Sequence, residues 1–202
     1  MSTRRWIRSG VLSGLVALTL CVGFPRMLAG QGAAARKEQA DDAAALREFS
    51  ARVQAYVKLQ KTVESGLPTL KPTDLPEMIA APQQALARKI REARPNAKPG
   101  DIFTSAVCEA FRHASRDALQ GPRSANSRAY MERDAPDPAM HLAVNGIYPD
   151  TEPITPLPPA LLAVYPPLPA EIAYRIVGRT LIVIDVQSRL IVDVARRILP
   201  PV

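Results

Sequence analysis

The sequence predicts an α+β domain in which three to four helices pack on a small C-terminal antiparallel β-sheet. Three observations support this fold class. Apolar residues recur at spacings of three and four from about residue 42 to residue 119, which is typical of helices. Beyond residue 140 the apolar residues alternate, as they do in strands. A connector with eight prolines, Pro149–Pro169, lies before the alternating segment. We therefore expect one domain over residues 36–202, with a helical part at 36–135 and the connector and β-hairpins at 140–202.

The first 35 residues have the order of segments that is typical of a bacterial export signal. A basic segment, Met1–Gly10, precedes an apolar run from Val11 to Phe24, and small residues follow as far as Ala35. The apolar run is about 14 residues long, whereas a helix needs about 20 to span a bilayer. We therefore predict a cleaved signal peptide over residues 1–35 and a periplasmic or secreted protein, with membrane contact only before cleavage.

Two aspects of processing stay open in the sequence. The small residues allow cleavage near Ala29-Gly30 or after Ala35. Thr3-Arg4-Arg5 is compatible with the twin-arginine route, but the residues after it depart from that signal. The general secretory route is therefore favoured.

Removal of the leader lowers the net charge and the number of cysteines, and both quantities bear on function. The net charge is +7, and because the leader carries four arginines and no acid, +3 remains after its removal. Nucleic-acid binding needs a clustered basic surface and benefits from aromatic platforms, and this chain has neither pattern, so we expect no nucleic-acid partner. Cys108 is then the only cysteine, so the domain must rely on its core rather than on an intramolecular disulfide.

Three main helices are predicted in the first half of the mature chain. The second covers about 75–94 and contains Pro82, which must kink the helix or mark its restart. The third begins after the cap residue Thr104, and a short helix is expected over 124–133. The first covers about 42–65, where the inner positions recur at spacings of three and four: Leu46, Phe49, Val53, Tyr56, Gln60, Val63 and Leu67.

The first helix has two possible uses. The polar, alanine-rich segment Ala33–Asp42 is expected to be a frayed lead-in to it. The apolar stripe fits packing on the domain's own core, and about three heptads of such spacing also fit a coiled-coil seam. Gln60 at an inner position favours the core. The seam leaves an envelope protein partner or a homodimer through helix 42–65 as a candidate interaction.

The C-terminal part is predicted to form strands joined by tight turns. His141–Tyr148 has the pattern of a strand, and Ala160–Ala163 fits one helical turn within the connector. In the run Ile172–Val194, Gly178-Arg179 is typical of a type II′ turn, and Gln187–Arg189 fits a three-residue turn. The middle strand is apolar on both faces, which indicates that helices cover at least one side of it.

The candidate catalytic residues are two aspartates and a tyrosine at these hairpins. If Val186 pairs with Leu190, Asp185 lies opposite Ile191, and Tyr174, Asp185 and Asp193 share one face of the sheet. The two carboxylates are then diagonal neighbours about 7–8 Å apart. Such a pair fits general acid–base chemistry or the start of a cation site.

Other features favour a structural role for the two acids. The sequence has no phosphate loop, no His-Glu-x-x-His, no cysteine pair and no Gly-x-Ser-x-Gly. His113 lies on a predicted helix and His141 at the start of a predicted strand, and we expect both to have structural roles. We therefore predict no cofactor and no metal. On this interpretation the acids face water at strand ends or pair with a nearby arginine: Arg175, Arg189 or Arg196.

Two motifs carry a resemblance. Gly100-Asp101-Ile102-Phe103 opens a helix, and Tyr174–Arg179 followed by Leu190-Ile191-Val192-Asp193 closes the chain. In these motifs the chain resembles a group of exported bacterial proteins of unknown function that have the same leader, helical middle and terminal hairpins. The resemblance implies no activity and no cofactor. Gln187-Ser188-Arg189 departs from the asparagine-rich last turn expected in that group, which bears on turn geometry only.

The sequence thus favours an exported, non-enzymatic interaction or structural module. The alternative is an exported hydrolase or cation-dependent enzyme using Asp185 and Asp193. Convergence of the two carboxylates in a pocket favours the enzyme. An exposed apolar stripe on helix 42–65 favours a partner or a dimer.

Overall fold

The computed structural model describes residues 26–68, 76–120, 136–153 and 157–201, together with residues 126, 127, 129 and 131; side chains are described from residue 32, and after the first gap from residue 80. The elements in chain order are α1 (Arg26–Ser65), α2 (Pro76–Ala93), α3 (Ser105–Leu119), α4 (Pro159–Leu162), β1 (Ile172–Val177), β2 (Thr180–Asp185) and β3 (Ile191–Ala195). The strands form an antiparallel sheet in the order β1-β2-β3, and the helices pack on it. The predicted α+β class is confirmed.

The first helix is longer than predicted. α1 has 40 residues, so the segment Ala33–Asp42 is helical rather than a frayed lead-in. Alanine, arginine, lysine, glutamate and glutamine dominate this segment, and all are strong helix formers. Its side chains at 32–41 are exposed, and Ala45 is the first buried residue among the side chains that the structure describes. None of the helices in the described ranges is long and apolar enough to cross a membrane.

An aromatic cluster holds the helices on the sheet. Phe49 is fully buried, and its ring lies 5.4 Å from Phe103, 5.0 Å from Phe111 and 6.0 Å from Tyr174, measured between ring centroids. Tyr165 closes the cluster against Phe111 and Tyr174. The cluster joins α1, α3 and β1, so the inner stripe of helix 42–65 is packed in the domain's own core.

The first hairpin has the predicted register. Val177 pairs with Thr180 and Tyr174 pairs with Val183. Gly178 has φ +56°, and Arg179 is not among the residues with positive φ. A type II′ turn needs positive φ only at its first central residue, so the φ pattern agrees with the predicted turn and not with type I′.

The second hairpin differs from the prediction by one residue. Val183 pairs with Asp193 as expected, but a bulge follows and Ile191 lies opposite Ile184, so its predicted pairing with Asp185 is wrong. The Asp185 amide donates to the Leu190 carbonyl at 2.9 Å, which leaves a turn of four residues instead of three. Backbone amides inside the turn bond to the Asp185 side chain and stabilise the longer form.

The remaining predicted elements have mixed outcomes. Thr104 caps α3 and the helical turn in the connector is present as α4, whereas the predicted helix 124–133 lies mostly outside the described residues. The predicted strand His141–Tyr148 is wrong, because that segment forms a single bridge between Ile147 and Leu190. A second apolar cluster nevertheless covers the outer face of the sheet here: Leu142, Tyr148, Val177, Ile182, Ile184, Ile191 and Val194.

Buried phenols make this fold sensitive to alkali. Burial raises the pKa of Tyr165 to about 12. Burial, with the adjacent Asp185 carboxylate, raises the pKa of Tyr56, and burial together with nearby Tyr165 raises that of Tyr174. The usual value of 10.0 applies once the chain unfolds. The unfolded state therefore binds fewer protons above pH 10, and stability must fall as pH rises.

We expect the free energy of unfolding to fall by up to about 1.4 kcal/mol per pH unit for each of the three phenols between roughly pH 10 and pH 12. Denaturant unfolding at pH 8, 10 and 11, with phenolate absorbance recorded in parallel, measures this. Tyr165→Phe should reduce the pH slope, because it removes one of the phenols whose pKa is raised by folding. Three phenols that ionise near pH 10 in the folded protein would contradict this expectation.

Candidate functional site

Asp193 lies in a cradle of backbone amides. The Ile102 and Phe103 amides donate to its Oδ2 at 2.7 and 2.8 Å, and the Gly100 and Val194 amides donate to its Oδ1 at 3.1 and 2.7 Å. The side chain is fully buried. Gly100 has φ +95°, a conformation that side-chain-bearing residues rarely adopt, and it turns the chain so that three loop amides converge. We call this arrangement the amide cradle.

The amide cradle joins the two motifs on which the resemblance rests. Gly100–Phe103 supplies three donors, and Asp193 is the last residue of Leu190–Asp193. The contact fixes the chain that enters α3 to the edge strand β3, about 90 residues further along the sequence. A carboxylate that accepts several amide hydrogen bonds is satisfied without a counter-ion. The two motifs therefore have a clear structural role in this chain.

Asp185 makes an equivalent connection between α1 and the β2–β3 turn. The Tyr56 hydroxyl donates to its Oδ2 at 2.9 Å, and the Gln187 and Ser188 amides donate to its Oδ1 at 3.0 and 2.7 Å. Asp185 is fully buried. The Arg94 guanidinium lies 5.0 Å from the centroid of the Tyr56 ring, so the residue that follows α2 contacts the same tyrosine.

The three candidate residues share a face but do not form one site. Strand pairing places Tyr174, Val183 and Asp193 side by side across the sheet. Asp185 lies two residues after Val183 and therefore on the same face of β2. The Tyr174 hydroxyl, however, donates to the Pro166 carbonyl at 3.0 Å. Each candidate thus has its own set of partners.

The expectation that both acids face water or pair with arginines is wrong. Both are buried, because two turns of the chain direct backbone amides at them. Within the described ranges, no group of three or more histidine, cysteine or acidic residues is placed to hold a metal ion.

Cys108 and His113 also make internal contacts on α3. The Cys108 thiol is half-buried and donates to the Phe103 carbonyl at 3.4 Å. Burial raises the pKa of this thiol, which opposes thiolate formation. His113 Nδ1 lies 2.8 Å from Asp42 Oδ2 and ties α3 to α1.

Open space lies between the end of α1 and the first half of α2. We call it the α1–α2 cavity; its volume is about 630 Å³. Its described lining is mostly apolar with a few polar groups: Glu64, Ser65, Leu67, Pro68, Ala81, Pro82, Gln83, Ala85, Leu86 and Gln187. Neither Asp185 nor Asp193 is among these residues. The volume lies within the range of small-molecule sites in proteins.

A chain of side-chain amides leads from the core to this cavity. Gln60 Nε2 donates to Gln187 Oε1 at 2.9 Å, and Gln187 Nε2 donates to Glu64 Oε1 at 2.7 Å. Gln60 is fully buried, so it fixes the orientation of Gln187 and, through it, of the Glu64 carboxylate. Sequence reasoning did not identify Glu64 or Gln187 as site residues. The available signal was a glutamine in the apolar stripe of the first helix.

No protein family, curated protein or solved structure matches this chain.

Proposed function

We propose that the mature protein is a non-enzymatic interaction module of the periplasm or the extracellular space, and that it binds its partner at the α1–α2 cavity. The supporting observation is that the two buried carboxylates do not line the cavity. Asp185 and Asp193 are buried and accept internal hydrogen bonds, whereas the described wall of the cavity is mostly apolar with a few polar groups, as in small-molecule sites.

The chemistry of the cavity wall suggests what it binds. Leu67, Pro82 and Leu86 offer apolar contact, and Gln187 donates to only one oxygen of Glu64 among the described contacts. The Ser65 hydroxyl donates to the Thr62 carbonyl of its own helix, and the described lining contains no histidine, lysine or cysteine. An apolar group that carries a hydrogen-bond donor fits such a wall.

The alternative enzyme has less support. A hydrolase or cation-dependent enzyme using Asp185 and Asp193 needs substrate access to at least one carboxylate. Each carboxylate is fully buried and accepts three or more hydrogen bonds, and neither lines the α1–α2 cavity.

An envelope partner or a homodimer through helix 42–65 remains part of the proposal. Because Phe49 and Val53 face the core, a partner of this helix would contact its polar face or its end near Glu64. Export is compatible with the described side chains: those of residues 32–35 are exposed, so a cut as late as Ala35 takes none of them from the core.

A cavity-filling substitution tests the binding proposal. We expect Ala85→Phe to reduce capture of the envelope partner at least tenfold, because the ring occupies space that the partner needs. The tagged protein, produced with its own leader, is used to capture partners from its cell envelope by quantitative mass spectrometry. N-terminal sequencing of the captured bait reports the cleavage site.

Ala93→Phe is the matched control, because residue 93 is exposed at the end of the same helix and does not line the cavity. It introduces the same side chain into the same helix, and the substituted protein should capture as much of the partner as the unchanged protein does. Equal capture by Ala85→Phe and the unchanged protein, with the substituted protein folded, would contradict the proposed site.

A further inference from the structure

A second depression lies on the other side of α2, and we call it the α2 groove. Its volume is about 470 Å³. One wall is a complete face of α2, with residues at spacings of three and four: Ala80, Gln83, Gln84, Ala87, Arg88 and Arg91. The opposite wall comes from the loop after the Ile147 bridge and from the β2–β3 turn: Ile147, Asp150, Ser188 and Arg189.

The shape of the α2 groove is elongated. Ala80 and Arg91 are three helical turns apart, which corresponds to about 16 Å along the helix axis. An extended chain advances about 3.3 Å per residue, so the groove has room for about five residues of a bound strand. A compact ligand would leave much of this length empty.

The groove is positively charged, and hydrogen bonds fix the position of two of its arginine side chains. Arg91 Nε donates to the Asn145 carbonyl at 2.9 Å, and Arg189 Nη2 donates to the Pro149 carbonyl at 2.8 Å. Both guanidinium groups are therefore oriented before any ligand arrives, which lowers the entropic cost of binding. Arg88 is exposed on the same face of α2 as Arg91.

Carboxylates are the groups that match these arginines. In the free protein, Asp150 Oδ1 lies 2.9 Å from Arg189 Nε, while the Asp150 side chain is 85% exposed. One carboxylate thus already occupies part of the groove, and an incoming carboxylate can replace it. The amides of Gln83 and Gln84 suit the peptide groups of a strand, and Ile147, which is 43% exposed, offers an apolar contact.

We propose that the α2 groove binds an extended acidic segment of a partner protein. Its carboxylate side chains meet Arg88 and Arg91, and its backbone meets the amides of Gln83 and Gln84. This site shares only Gln83 with the described lining of the α1–α2 cavity and does not require that cavity to bind anything, so either proposal can fail without the other.

Peptide selection tests the groove. The mature protein, immobilised, is used to select from a random heptapeptide library, and the enriched peptides are synthesised and titrated. We expect a strong excess of aspartate and glutamate, and binding that weakens several-fold between 50 and about 300 mM salt. Arg88→Glu should weaken binding at least tenfold.

Lys89→Glu is the matched control, because it makes the same charge change one residue away, outside the groove. It should alter binding less than twofold. Any one of the following results would overturn the proposal: selected peptides without an acidic excess, equal weakening by both substitutions, phosphatidylglycerol vesicles that bind through Arg88 when no peptide does, or a dimer that depends on Arg88.

Discussion

Asp193→Ala is expected to lower the free energy of unfolding by about 3–5 kcal/mol. The substitution leaves the Gly100, Ile102 and Phe103 amides without their acceptor, and the latter two are buried. Each buried donor without a partner costs about 1–3 kcal/mol. Denaturant unfolding monitored by circular dichroism measures the loss.

Two comparisons show whether the cause is the amide cradle. Asp193→Asn keeps an acceptor oxygen and the side-chain volume, so it should cost less than alanine. Asp137→Ala removes a carboxylate that caps an exposed amide, that of Ala139, and should cost less than about 1 kcal/mol. A loss for Asp193→Ala that is no larger than that for Asp137→Ala would contradict the structural role of Asp193.

Phe49→Ala is expected to cost about 3–5 kcal/mol, because the ring is the centre of the aromatic cluster and its removal leaves a cavity. Phe49→Leu, which fills part of the space, should cost clearly less. Leu46→Ala is the control, because Leu46 lies on the same helix face but is only half-buried. Its loss of unfolding free energy should be smaller than that of Phe49→Ala.

The urea midpoint reports these differences even where the substituted protein is only marginally stable. A Phe49→Ala protein as stable as the Leu46→Ala protein would show that the inner stripe of helix 42–65 is not in the domain's core. In that case, the coiled-coil alternative for this helix would become the favoured interpretation.

The hairpins were the most predictable part of the fold. Strand alternation and the Gly178-Arg179 turn determine a register locally, since a slip by one residue would move every apolar side chain to the wrong face. The bulge after Val183 was not predictable in the same way. It depends on the bonds between Asp185 and the amides of its own turn, and a residue pattern does not distinguish a three-residue turn from this four-residue one.

The environment of the two acids was less accessible to sequence reasoning. Alternation placed Asp185 and Asp193 on the correct face, but the groups they meet come from α1 and from the loop before α3. Those segments lie about 90 to 130 residues away in the chain. A motif such as Gly100–Phe103 predicts a turn in the chain. It does not predict which carboxylate the amides of that turn bind.

The two cavities depend on the angle between helices and sheet, which local patterns do not encode. Gln60 and Gln187 become neighbours only when the end of α1 meets the β2–β3 turn. Arg91 and Arg189 likewise line one groove from two distant elements. The basic residues on the second helix were visible in the sequence, but their common wall was not.

The proposed function requires that Asp193 holds the fold and is not available to a substrate. Native-state hydrogen exchange of the Ile102 and Phe103 amides tests this requirement most directly. If the amide cradle persists in solution, these loop amides exchange as slowly as those of central strand β2, and Asp193→Asn accelerates their exchange far more than that of β2. Fast exchange typical of an exposed loop, unchanged by Asp193→Asn, would show that the carboxylate is free and would reopen the case for an enzyme.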